Sequence, residues 1–144
     1  MAANGFSAPS FYDDKGVGFL KTFSAGFLTT CGLTQAGTPN HFDGKDLPLH
    51  GTISHIPAQQ VNYSVEEDVI IIDAQIIDET IFAHKLVLHR TLSVSRISNT
   101  FSLQDRIVNR GPERVPLMGL YHINLGYPLI SEDTQLTIHS SKIE

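Results

Sequence analysis

The sequence contains one cysteine, Cys31, and no tryptophan. A single cysteine excludes an internal disulfide framework and is typical of a reducing compartment, so we expect a cytoplasmic protein. The longest uninterrupted aliphatic run covers only residues 69–72, whereas a membrane-spanning helix needs roughly 20 apolar residues. Residues 1–5 show no basic region followed by an apolar one, so the sequence predicts no signal peptide.

The chain has few charged residues, and its net charge is slightly negative. Charged residues make up 17% of the chain and the formal net charge is -5, with no run of Lys or Arg. Nucleic acids and anionic membranes attract basic patches, so both are excluded as predicted partners. The 144 residues, 41% of them hydrophobic, predict one globular domain over residues 1–144.

The hydrophobic pattern has the period of strands and not that of helices. Residues 84–95 and 100–110 alternate between apolar and polar, and a break rich in Gly and Pro follows the second segment. The β-branched run 69–77 predicts a strand buried on both faces. Residues 16–34 indicate strands and turns, and residues 35–48 a loop. Short strands joined by turns predict an all-β antiparallel β-sandwich.

Two charges interrupt the apolar faces of neighbouring strands. Arg90 lies between Leu88 and Leu92, and Asp105 falls in the same way on the next strand. With residues 96–99 as a four-residue loop, Arg90 pairs with Asp105 and the apolar faces match. A slip of one residue would break both matches. The pair is either a structural ion pair or the polar floor of a binding site.

Two histidines lie in apolar settings beside glycines. They are His50, in the segment Pro-Leu-His-Gly, and His122, in the segment Tyr-His-Ile-Asn-Leu-Gly-Tyr-Pro. If folding brings them together, they could form an acid/base or ligand-binding pair. The alternative is that both are core histidines whose ring nitrogens bind backbone carbonyls.

Other sites are less favoured by the sequence. His41, His50 and His55 could form a metal cluster, but the spacing of a two-His-plus-Glu site is absent, so we predict no metal and no cofactor. Cys31 has no flanking base or second cysteine, which favours a small buried hydrophobe over a nucleophile.

Three segments together resemble a known family. They read GFLTTCGL (residues 26–33), LPLHGTISHIPA (residues 47–58) and YHINLGYP (residues 121–128). In this order they resemble the DUF4432 family, of the galactose mutarotase-like (aldose 1-epimerase) superfamily. The resemblance covers residues 16–130 and implies a β-supersandwich of large antiparallel sheets. It also implies a small-molecule sugar as the partner.

The resemblance implies roles for particular residues. Mutarotases interconvert sugar anomers, with one histidine that grips the sugar and another that acts as general acid. His50 matches the first and His122 the second, with Asn124 close by as a substrate-binding residue. Arg90 and Asp105 are the remaining candidates for substrate binding.

The superfamily's catalytic glutamate has no match. Glu144 lacks its context, so the chain resembles the N-terminal part of the domain. We therefore expect sugar binding to be more evident than turnover, with a non-catalytic carbohydrate-binding or structural β-module as the alternative. An incomplete sandwich would leave an open sheet edge, which favours a homo-oligomer.

Overall fold

The computed structural model describes residue 13, residues 15–23, residues 26–137 and residue 139. The sequence predictions that concern a signal peptide at residues 1–5 and the role of Glu144 fall on residues outside this part. Strands dominate it, and the all-β prediction is confirmed. The elements are α1 (Phe19–Thr22), β1 (Leu28–Leu33), β2 (Asn40–Phe42), β3 (Lys45–Leu47), a 3₁₀ turn (Ile53–His55), β4 (Gln59–Val65), β5 (Val69–Glu79), β6 (Lys85–Ser95), β7 (Phe101–Asn109) and β8 (Met118–Ile123).

Strands β4 to β7 form a four-stranded antiparallel meander in chain order. The alternation of residues 84–95 and 100–110 produces β6 and β7. The Ser95 N–H donates to the Thr100 carbonyl at 3.0 Å, which closes the predicted four-residue loop at residues 96–99. Arg90 pairs with Asp105, and Leu92 with Leu103. The predicted register is therefore confirmed, because only this pairing keeps the apolar side chains on one face.

The second sheet consists of β1 and β8, paired antiparallel from Leu28 opposite Ile123 to Leu33 opposite Met118. It packs on the meander through a shared hydrophobic cluster. The members of this buried cluster are Leu33, Ile53, Ile76, Leu86 and Leu88. Contact between two sheets through their apolar faces confirms the sandwich.

Three local predictions need correction. Residues 35–48 are not only a loop, because β2 and β3 form a short hairpin there. Residues 16–34 include the one-turn helix α1, too short to show a helical period. Strand β5 is only partly buried, with Asp73 exposed, because its outer face has no covering layer among the described residues.

No helix in the described part of the chain is long and apolar enough to cross a membrane. The meander ends at β4 and β7, and neither edge is paired with a further strand among the described residues. Open edges of this kind favour association between chains, and the homo-oligomer stays a prediction.

Candidate functional site

A tight turn carries His50 and docks against β1. His50 adopts a left-handed backbone conformation, with φ of 60°. Its backbone N–H donates to the Gly37 carbonyl at 2.9 Å, and its carbonyl accepts from the Gly32 N–H at 2.9 Å. Backbone hydrogen bonds thus fix the turn on both sides, and with it the position of the His50 backbone relative to β1.

Gly51 explains why a glycine follows this histidine. Its φ is 71°, in the left-handed region that favours glycine. A Cβ built on Gly51 would collide with the backbone oxygens of Gly32 and Gln35. The glycine therefore allows the turn to approach β1 closely.

The ring of His50 is oriented by a further backbone contact. The Gly37 N–H donates to Nδ1 of His50 at 3.3 Å, so in the neutral imidazole the proton resides on Nε2. Burial, and secondly the nearby charge of His122, lower the pKa of His50 below its usual value. His50 is thus a neutral group that can donate a hydrogen bond from Nε2.

His122 lies on β8, opposite Thr29 of β1. Its ring centroid is 6.4 Å from that of His50, with the two planes at 75°. Its Nδ1 is buried and has no hydrogen-bond partner among the residues described. His50 and His122, 72 positions apart in the sequence, are therefore neighbours in the structure. A catalytic role for either residue remains a prediction.

Aromatic rings from the α1 region form a wall beside the two imidazoles. Phe19 packs edge-on against His50, with centroids 5.1 Å apart, and Phe23 lies 4.9 Å from His122. The sequence analysis did not identify these two phenylalanines. A spacing of four residues places two side chains on the same side of a helical turn. This spacing was the feature of the sequence that could have identified them.

His55 joins the same aromatic cluster. Phe19 packs against its ring with centroids 5.7 Å apart. Its Nε2 contacts the Thr22 hydroxyl, and its Nδ1 lies 2.9 Å from the Ser54 hydroxyl. With both ring nitrogens engaged, His55 supports the wall rather than facing a ligand.

Lowered histidine pKa values predict that acid destabilises the protein. Burial lowers the pKa of both His50 and His55 from the ordinary value of 6.5. The unfolded chain then binds protons first, so the stabilising contribution is complete above about pH 6.5 and is lost as pH falls through the folded-state values. Denaturant unfolding between pH 8 and pH 5 should show this decline.

His50→Asn should make that decline shallower, because it removes one titrating ring while asparagine tolerates the left-handed backbone. The comparison concerns the slope with pH and not the stability at pH 8, where loss of ring packing also contributes. An unchanged slope would contradict the assignment to His50.

Asn124 lies two residues beyond His122, at the end of the β1–β8 ladder. Its side-chain amide donates to the Gly26 carbonyl at 2.8 Å, and its backbone N–H donates to the Phe27 carbonyl at 2.9 Å. Asn124 therefore closes this end of the ladder. Its predicted contact with a sugar stays a prediction.

The predicted pair of Arg90 and Asp105 forms a two-pronged ion pair between the sheets. Arg90 Nε lies 2.9 Å from Asp105 Oδ1, and an Nη lies 2.7 Å from Oδ2. The same Nη donates to the Thr30 hydroxyl at 2.6 Å, and the Tyr121 hydroxyl donates to Asp105 at 2.7 Å. Burial opposes ionisation of Asp105, but the hydrogen bonds from Arg90 and Tyr121 outweigh it and hold its pKa below the usual value.

This network lies on the opposite face of β8 from the histidine pair. Tyr121 reaches Asp105 across the sandwich, whereas His122 is the next residue, and successive side chains of a strand point to opposite faces. The structure thus brings His50 and His122 together, and it places Arg90 and Asp105 in the sheet interface.

The structure shows the surroundings of Cys31 and of the histidines that were considered for a metal site. Cys31 is fully buried, and burial raises the pKa of its thiol to about 11, so it behaves as a small apolar side chain. His41 pairs instead with Asp46, at 2.8 Å, on the β2–β3 hairpin. Within the described ranges, no three His, Cys, Asp or Glu side chains are grouped to hold a metal.

The model of one protein family matches residues 1–144, the whole chain. Its description is DUF4432, a domain of unknown function. The chain belongs to the DUF4432 family. No curated protein matches this DUF4432 chain.

A solved structure supports the fold of the DUF4432 chain. It is that of a candidate aldose 1-epimerase from Klebsiella pneumoniae, with 28% sequence identity and a TM-score of 0.74. The match covers 83% of the DUF4432 chain and 33% of the Klebsiella protein. The chain thus spans about a third of that protein's length, and its fold is that of an aldose epimerase-like protein.

Proposed function

We propose that the chain binds a small sugar between His50 and His122, as part of a mutarotase-like domain that includes residues 1–144. One observation carries the proposal: the two imidazole centroids lie 6.4 Å apart beside an aromatic wall. Two imidazoles at this separation can contact neighbouring oxygens of one sugar ring. The similarity to a candidate aldose 1-epimerase supports the choice of ligand.

The two histidines differ in what they can contribute. His50 is held neutral with its proton on Nε2, because Gly37 donates to Nδ1 and burial lowers its pKa. It therefore suits the gripping role, as a hydrogen-bond donor to a sugar oxygen. We therefore assign His122 the role of general acid, which donates a proton to the ring oxygen.

Anomer interconversion needs a second group. As His122 protonates the ring oxygen, a base must remove the proton of the anomeric hydroxyl, so that the bond from the ring oxygen to the anomeric carbon breaks and a carbonyl forms. The three segments that resemble the family contain no glutamate that could act as this base. This feature of the sequence favours the second candidate, a carbohydrate-binding module without turnover.

Sugar binding can be tested by NMR titration of the chain with galactose and glucose. His50→Asn and His122→Ala should each weaken binding about three- to tenfold, the scale of one hydrogen bond. His41→Ala is the matched control, because His41 is exposed on the β2–β3 hairpin. Equal affinities for all three variants and the unaltered chain would contradict the site.

Polarimetry of freshly dissolved α-galactose distinguishes the enzyme from the module. We expect the chain to raise the mutarotation rate little above the uncatalysed rate, because no base is identified and one acid or base group contributes roughly 100- to 10,000-fold in rate. His122→Ala should then change the rate little further. Rapid mutarotation that disappears in His122→Ala would show that the base lies within these residues.

A further inference from the structure

Strand β1 forms backbone hydrogen bonds along all of one side but only part of the other. In an antiparallel pair, successive residues direct their N–H and C=O groups to opposite sides of the strand. The Asn124 N–H donates to the Phe27 carbonyl at 2.9 Å, so Phe27 and every second residue after it bond toward β8. Leu28, Thr30 and Gly32 therefore direct their backbone groups to the side away from β8.

The turn that carries His50 occupies one end of this second side. The Gly32 N–H donates to the His50 carbonyl at 2.9 Å, and the Gly32 carbonyl accepts from the Thr52 N–H at 3.1 Å. Leu28 and Thr30 have no backbone partner on this side in the part of the chain that the structure describes. The two N–H and two C=O groups of these residues are the free edge of β1.

The meander extends beyond this free edge. Thr30 of β1 contacts Arg90 of β6, and Tyr121 of β8 contacts Asp105 of β7. Packed sheets keep their strands within about 30° of each other, so the order β4–β5–β6–β7 places β5, and then β4, on the side of the free edge. A strand paired with the free edge would lie about 4.8 Å from β1 and directly over β5.

The surface at that position is apolar and open to water. Ile76 of β5 belongs to the buried cluster, and Ile72 and Ile70 face the same way because they follow at steps of two. Tyr63 and Val65 of β4 pair with these two isoleucines, and their exposed fractions are 77% and 57%. We call the side chains of residues 63, 65, 70 and 72 the apolar floor.

We propose that the free edge of β1 binds one extended segment of another polypeptide by strand addition. The backbone of the segment bonds to Leu28 and Thr30, which continues the β1–β8 ladder by one strand. Its apolar side chains cover the apolar floor. The described strands all pair antiparallel, and we expect the same of the added strand. Residues opposite each other in such a pair share a face, so the residues that bond to β1 also contact the floor.

A second folded copy of the chain does not fit this edge. If β1 paired with β1 of another copy, β6 of that copy would lie beneath its own β1, in the space that β5 occupies. A single extended segment carries no such layer. The occupant is therefore a peptide strand, and the open edges at β4 and β7 are separate from this site.

The test uses two seven-residue peptides with blocked ends, titrated into the full chain by NMR. The first has the sequence Lys-Val-Thr-Val-Thr-Val-Lys, and the second is the same peptide methylated on the three valine nitrogens. The first should shift the amide resonances of Leu28 and Thr30 and slow their hydrogen exchange. It should also bind about tenfold or more tightly than the second, because methylation removes the donors to β1. Equal binding of the two peptides, or shifts only at β4 or β7, would overturn the proposal.

Tyr63→Thr then tests the apolar floor. The substitution removes apolar area at a side chain that is 77% exposed, so it should weaken the first peptide about threefold or more while the fold is kept. Ile97→Thr is the control, because Ile97 is 75% exposed in the β6–β7 loop and is not part of the floor. Equal affinities of the two variants would contradict the proposal. Slowed exchange at Leu28 and Thr30 on concentrating the chain without peptide would also contradict it, because a second copy would then occupy the edge.

Discussion

Asp105→Ala should lower the free energy of unfolding by about 3–5 kcal/mol, the range for removing one partner of a buried ion pair. The Asp105 side chain is 6% exposed and that of Arg90 is 22% exposed. The substitution leaves the Arg90 charge in the sheet interface without its counter-ion, and it removes the acceptor of the Tyr121 hydroxyl. Denaturant unfolding at neutral pH measures the loss.

Two further variants separate this explanation from a general effect of losing a carboxylate. Asp73→Ala, on the exposed face of β5, also removes a hydrogen-bonded aspartate and should cost about 1 kcal/mol or less. The double variant Arg90→Met, Asp105→Leu should recover most of the stability, because it leaves no unpaired charge. If Asp105→Ala and Asp73→Ala lose the same free energy, the buried pair has no special importance.

Gly51→Ala should also destabilise the fold strongly. The left-handed conformation costs a residue with a Cβ about 1–2 kcal/mol, and the collision with the backbone of Gly32 and Gln35 adds about 1–3 kcal/mol. The same displacement would move His50, so we expect sugar binding to weaken as well. Chemical denaturation and the galactose titration measure the two effects.

Gly44 provides a closely matched control. It has the same φ of 71°, but a Cβ at this position would meet no atom within 4 Å. Gly44→Ala should therefore show only the conformational cost. Equal losses in the two variants would show that the close approach of the turn to β1 contributes nothing.

The β6–β7 pairing could be predicted from the sequence because two independent patterns agree on one register. The apolar alternation fixes which side chains share a face, and Arg90 and Asp105 fix which positions are opposite. The partners from the other sheet, Thr30 and Tyr121, could not be predicted in this way. Contacts between sheets depend on how the layers pack, and no fixed sequence spacing encodes that.

Short elements and distant contacts account for what the sequence analysis missed. The strands β2 and β3 have three residues each, too few to establish an alternation. The proximity of His50 and His122 followed only from the family resemblance, since neither residue has a periodic relation to the other. Phe19 and Phe23 became relevant only when α1 was placed beside both rings.

The pairing of β1 with β8 has a consequence for the order in which contacts can form. It joins residues 95 positions apart (123 minus 28), whereas Val94 and Phe101 of the meander are 7 apart (101 minus 94). Closing the longer loop costs about 2 kcal/mol more in conformational entropy. Local pairing within the meander is therefore favoured before β1 pairs with β8. His122 comes close to His50 only when β1 and β8 have paired. A ligand bound by both histidines would therefore stabilise the pairing that closes the longest loop of the described sheets.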